Sequence, residues 1–186
     1  RGPGLEGNYR KLHGGLSNID FLYFHSDKEY KELYSDQKDK RWAFKYTDKY
    51  QLNENVKVEV DWSKASDSLV LRDISGEITS IGSEREQYLN QNISITGEFK
   101  NLILKIQQEK NQSLNPLLTN GYEKSPSVDL SFFKNIGNFL FRENLNVRFF
   151  KADALHGFFG IKHSNKYLSS LEEIKEGSRI YSDMSL

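Results

Sequence analysis

Two carboxylates with a lysine close by are the first residues in this chain that could carry chemistry. Asp73 lies upstream of Glu98-Phe99-Lys100. Carboxylates at the ends of adjacent strands can hold a divalent ion while a lysine polarises water, which is what a metal-dependent nuclease needs. The four histidines, His13, His25, His156 and His163, offer less. None stands at helical spacing from another, and His156 and His163 point to opposite faces of any regular strand, so no metal site is expected. Arg41-Trp-Ala-Phe-Lys45 and Arg148-Phe-Phe-Lys151 interleave cations with aromatics. Such runs can stack bases and hold phosphates, but in a strand the same alternation simply turns aromatics inward and cations to water.

The missing motifs narrow the field. The chain has no phosphate-cradling Gly-x-x-x-x-Gly-Lys-Ser/Thr loop, no Gly-x-Gly-x-x-Gly turn and no Gly-x-Ser-x-Gly elbow. With no cysteine there is no disulfide frame, thiolate metal site or cysteine nucleophile. The reading leans away from an enzyme, and no cofactor is expected.

One segment resembles a known family. In Asn146–Leu168, the residues Leu155, His156, Phe159 and Ile161 match the C-terminal strand pair of phospholipase D-like proteins, where a strand is followed by Leu-His-x-Lys-Phe-x-Ile and an Asp. Phe158 stands at the lysine position and His163 at the aspartate position. A histidine nucleophile without the lysine that neutralises phosphate is nearly inert. The resemblance therefore implies a degenerate scaffold.

The elements that would position these groups read as strands. Asn55–Trp62 is the clearest, with Val56, Val58, Val60 and Trp62 on one side and Lys57, Glu59 and Asp61 on the other. One dry and one wet face indicates an antiparallel sheet. Asn18–Phe24, Arg41–Thr47, Leu69–Ile81, Ile93–Gly97, Asn146–Lys151, Leu155–His163 and Arg179–Ser182 are further strand candidates. Residues 98–110 and 127–141 fit helix and strand alike, with strands preferred for the second. Ser26–Lys40 predicts a helix capped by Ser26, with Tyr30, Leu33 and Tyr34 as its apolar stripe. Ser169–Lys175 predicts a further helical turn. Glycines recur in Ile74–Ile78, Ile95–Phe99 and Leu155–Phe159, which predicts bends in the sheet.

The 186 residues suit one domain, with 26 basic and 26 acidic side chains and 37% hydrophobic content. Zero net charge argues against general nucleic-acid binding. Mean hydropathy is −0.69, and no apolar run approaches the ~20 residues of a spanning helix, so no membrane span is expected. Residues 1–15, with five glycines and a proline, predict a flexible linker ahead of a single β-rich domain over 16–186. No export signal is visible, which favours the cytoplasm.

The expected fold is mainly β, a curved antiparallel sheet forming a barrel or compact sandwich with one or two short helices. The expected function is a soluble, non-catalytic ligand-sensing or recognition domain of a longer protein, with a small-molecule ligand or a protein as partner. Trp42, Tyr46 and Trp62 would wall the pocket, and Arg72, Arg148 and His156 would supply polar or anion contacts. The alternatives are a nuclease built on Asp73, Glu98 and Lys100, a degenerate phospholipase D-like domain, and a protein-interaction module with an exposed apolar patch.

Overall fold

Among the described residues of the computed structural model, nine strands follow one another as a single antiparallel meander, each paired with its neighbour in sequence. The structure describes residues 2–74, 81, 87–115, 122–152 and 176–186. The strands are β1 (Gly4–His13), β2 (Gly15–Phe24), β3 (Arg41–Asn53), β4 (Val56–Ala65), β5 (Tyr88–Phe99), β6 (Leu102–Ser113), β7 (Tyr122–Ile136), β8 (Phe139–Ala152) and β9 (Gly177–Ser185). Two short helices, α1 (Lys28–Leu33) and α2 (Val70–Asp73), interrupt the connections. β1 and β9 do not pair with each other, so the sheet is open. The expected curved, mainly β architecture is what the structure shows.

The connections differ between the two ends of the sheet. At one end, β1–β2, β3–β4, β5–β6 and β7–β8 are joined by only one or two residues. Gly137 supplies the left-handed backbone (φ +61°) that the β7–β8 turn requires. At the other end the links over 25–40, 66–87, 114–121 and 153–176 are all longer.

Four local expectations are corrected. The glycine-rich segment expected to be a linker forms β1, paired along its length with β2. Its glycines make room for aromatic rings: a Cβ on Gly7 would lie 2.6 Å from the Phe21 ring. Helix α1 ends at Leu33 and is capped by Asp27, whose Oδ1 accepts from the Tyr30 N–H at 3.1 Å. Ser26 instead donates to Asp39 Oδ2 at 3.2 Å, and the Asp27 N–H reaches the Asp39 carbonyl at 2.7 Å. The loop is thus tied at both ends, and the chain turns back to β3 early. Leu69–Ile81, expected to be β, contains α2, started by Asp67 accepting from the Leu69 N–H at 3.0 Å. Gly97 pairs in regular register with Val56 and Leu104, and the irregularities fall instead at Gln51/Asn53, Gln107/Glu109 and Lys124/Ser127. Both ambiguous segments are strands, β6 and the β7–β8 hairpin. The expectations for Leu155–His163, Ser169–Lys175, Gly76 and Gly157 lie outside the described residues.

The buried apolar cluster sits at the long-connection end. Leu22 and Ala43 pack with Ala65, Val70, Leu71, Ile74, Ile81, Leu89 and Leu114. The remainder of the sheet has little conventional core, and that absence shapes the site.

Candidate functional site

Residues opposite each other in an antiparallel ladder share a face, so the register sorts every strand residue to one side or the other. On one side lie Ile19, Phe21 and Tyr23 of β2, Trp42, Phe44 and Tyr46 of β3, and Val56, Val58, Val60 and Trp62 of β4. The same side continues through Ile93 and Ile95 of β5, Leu102, Leu104 and Ile106 of β6, and Val128, Leu130 and Phe132 of β7. Phe141, Leu145 and Val147 of β8 and Ile180 of β9 complete it. On the other side lie Asp20, Lys45, Thr47, Glu59, Asp61, Asn92, Ser94, Thr96, Lys105, Gln107, Asp129, Ser131, Asn144, Asn146 and Arg148. Large side chains interrupt this polar side mainly near its ends, as with Ile103 and Leu140 by the short turns.

Burial runs against the water-soluble pattern. Ile93 and Ile95 are 38% and 46% exposed, while their polar neighbours Ser94 and Thr96 are 2% and 7% exposed. The polar face is therefore the enclosed one, and the apolar face looks outward. Polar side chains on the enclosed face satisfy one another: Lys124 Nζ donates to both Glu109 oxygens at 2.9 Å, and Ser131 donates to Asn144 Oδ1 at 2.9 Å. Aromatic residues collect at both rims of the apolar band, Tyr23 and Trp42 by the long connections and Tyr50, Phe99 and Phe139 by the short turns. Along β4 the run from Val56 to Trp62 covers roughly 20 Å.

A polar cluster marks the short-turn rim of the apolar band. Asp48 accepts from Ser17 Oγ at 3.0 Å and from the Tyr46 hydroxyl at 2.8 Å, and His13 Nε2 lies 3.4 Å from the same carboxylate. Ser17 gives its proton to Asp48, so the group is a mutually satisfied set and not a nucleophile aimed at substrate. Sequence reading saw His13 only as a scattered histidine because its partners come from two other strands, β2 and β3.

The long-connection end is tied together by Arg41, which is 1% exposed. Its Nε and Nη2 donate to the two oxygens of Asp67 at 3.0 and 2.8 Å, Nη1 donates to Asp27 at 3.0 Å, and Nη2 also reaches Asp73 at 3.1 Å. Its guanidinium lies 4.0 Å from the centre of the Tyr30 ring. One strand residue thereby ties the 25–40 connection to residues 67–73 of the next. Burial, reinforced by the charge of Asp67, pushes the Tyr30 hydroxyl well above the usual tyrosine range.

The residues singled out from sequence do not form one pocket. Trp42, Tyr46 and Trp62 share a face, with Tyr46 directly opposite Trp62, but that face is the outward one and not an inner wall. Arg72 projects from α2 with a 61% exposed side chain beside Asp73. Arg148 stands on the enclosed polar face of β8, and His156 lies outside the described residues. Asp73 is held by Arg41 at the long-connection end, whereas Glu98 lies by the short turns beside Lys57 at 3.7 Å. The nuclease constellation is therefore not assembled, and no cluster of metal-ligating side chains occurs among the described residues.

The family LptD, LPS transport system D, matches residues 39–184. The LPS-assembly protein LptD of Salmonella paratyphi A is 27% identical over 65% of this chain and 15% of its own length. That of Escherichia coli O1:K1 is 26% identical over the same shares, and that of Ectopseudomonas mendocina is 24% identical over 70% of this chain and 14% of its own. The chain thus spans about one seventh of the length of the curated relatives it matches.

These findings overturn the expectation of a soluble ligand-sensing domain, together with its nuclease, phospholipase D-like and interaction-module alternatives, because the matched family is one of lipopolysaccharide transport. A generic small-molecule or protein partner gives way for the same reason. Transport of an envelope glycolipid also overturns the cytoplasmic expectation. The exclusion of a membrane span rested on helix-length apolar runs. No described helix is long and apolar enough to cross a membrane, but that test does not address strands. With most of its length matched, from the last residues before β3 to Met184 in β9, the chain belongs to the LptD family, LPS transport system D.

Proposed function

We propose that this chain forms part of the wall of a transmembrane β-barrel that assembles lipopolysaccharide in the outer membrane. The apolar face meets lipid, and the polar face lines the aqueous interior along which the saccharide moves. The observation that carries this reading is the reversed burial, with Ile93 and Ile95 outward and Ser94 and Thr96 enclosed. In water this arrangement wastes apolar burial; in a bilayer it is the stable one, since lipid replaces the core. Three further features support it. Barrel strands alternate apolar-out and polar-in, carry aromatic girdles, and are joined by short turns on one side and long loops on the other. Strands of this length span the hydrocarbon layer when tilted. Among the described residues the outer edges of β1 and β9 have no partner strand, and lipid does not tolerate open edges, so a closed wall pairs them both.

Site-directed fluorophores on the full-length protein in vesicles test the orientation. Labels at Val58, Ile95 and Leu104 are expected to be quenched by brominated lipid, and labels at Glu59, Lys105 and Asp129 by aqueous iodide. The opposite pattern, or iodide access to both sets, sinks the proposal.

A further inference from the structure

The enclosed face carries one rung that breaks the ordinary rules of strand pairing. Arg148 of β8 stands directly opposite Arg179 of β9. Like charges placed opposite each other on one face repel, and neither guanidinium forms an ion pair with a carboxylate among the described residues. Asp129 is close, but it stands opposite Lys105 on the neighbouring ladder. The two arginines line a groove of about 720 Å³ together with Asn144, Asn146, Tyr181 and Asp129. No other described rung on this face sets two like charges opposite each other, and Glu109–Lys124 and Lys105–Asp129 pair opposite signs. A local violation within an otherwise consistent pattern marks a functional position.

We propose that the Arg148–Arg179 rung is a phosphate-binding site for the phosphorylated saccharide of lipopolysaccharide. The inference rests on the reading of the polar face as the wall of a lipopolysaccharide passage. Two guanidinium forks across one rung can grip a phosphate dianion from both sides, and the anion removes the repulsion that the empty rung suffers. Asn146 lies opposite Tyr181 one rung further along the same face, and Asn144 lies beyond it. Their amide and hydroxyl groups suit the hydroxyls of an attached sugar. The groove is open along the wall and not closed around its ligand, so the site holds a headgroup briefly, as a transit station must.

Binding to the full-length protein in lipopolysaccharide-free nanodiscs tests the site, with diphosphorylated lipid A, dephosphorylated lipid A and inorganic phosphate as probes. The wild type is expected to favour the diphosphorylated form over the dephosphorylated one, with an affinity that weakens as salt is raised. Arg148→Gln and Arg179→Gln are each expected to lose roughly tenfold or more of that affinity, as loss of a charge-assisted contact implies. Without ligand, each variant should be at least as heat-stable as the wild type, because a repulsion has been removed. Unchanged lipid A affinity in both variants, or a clear loss of ligand-free stability, overturns the site and makes the arginines structural. Inorganic phosphate binding as tightly as lipid A overturns the headgroup assignment. Quenching by brominated lipid at Lys105 and Asp129 would mean that the wall reading itself has failed; with that orientation upheld, only the site is at stake.

Discussion

Replacing Arg41 by methionine keeps the length of the side chain and removes its charge and all its donors. Four hydrogen bonds are lost, two to Asp67 and one each to Asp27 and Asp73, at 2.8 to 3.1 Å. The side chains of Asp27 and Asp67 are only 2% and 3% exposed, so both stay buried without a cation; Asp73, at 26%, keeps contact with water. Breaking a buried pair by removing one partner costs about 3–5 kcal/mol. Asp27 retains the Tyr30 N–H, and Asp67 retains the Leu69 N–H and the Ser66 hydroxyl. The lower end, about 3 kcal/mol, is therefore expected, which raises the open population of the loop cap roughly a hundredfold. Hydrogen exchange on the full-length protein in vesicles reads this directly. Protection over 28–33 and 66–74 should fall, while β6 and β7 exchange as before. Protection at neutral pH within twofold of the wild type would show that Arg41 does not hold the cap.

Three other perturbations bear on different parts of the structure. Beyond Trp62–Gln91 the β4–β5 ladder opens, and the Gln112 amide bridges the gap by accepting from the Ala65 N–H at 2.9 Å and donating to its carbonyl at 2.8 Å; Gln112→Ala should cost about 2 kcal/mol, seen as a lower transition in heat-modified gel mobility. Ile95→Arg on the outward face should cost about 2–4 kcal/mol in folding into vesicles if the site lies near the bilayer midplane, whereas Gln107→Arg on the enclosed face should be close to neutral in the same denaturant titration. Tyr30→Phe should be neutral or slightly stabilising at pH 7, since the buried hydroxyl has no hydrogen-bond partner. As pH rises above about 10 the unfolded chain ionises Tyr30 while the folded cap resists, so the wild-type cap weakens there; exchange measurements should show the Tyr30→Phe cap losing less protection over that range.

Much of the strand content was legible because it depends on neighbours in sequence. Val56, Val58, Val60 and Trp62 alternate with Lys57, Glu59 and Asp61, and β4 forms with that division of faces. β1 was not legible. Its glycines have poor intrinsic β preference, and their use becomes visible only when Phe21 and Phe24 lie over them from β2. The helical stripe in 26–40 was real but short, because contacts between Ser26, Asp27 and Asp39 close the loop early. The Arg41 cap could not be read at all, since its aspartates lie 14, 26 and 32 residues away in sequence. Arg148 was singled out as an anion contact from its place among aromatics. Its opposition to Arg179 required the register.

The sequence by itself determined that the chain is built of antiparallel strands with an apolar and a polar side, because period-two alternation is a local property of the backbone. It could not decide which side faces inward. Alternation is symmetric between the two faces, and a stripe of valines is equally a core in water or a lipid contact in a membrane. Only the tertiary structure broke that symmetry, by enclosing Ser94 and Thr96 and leaving Ile93 and Ile95 outside.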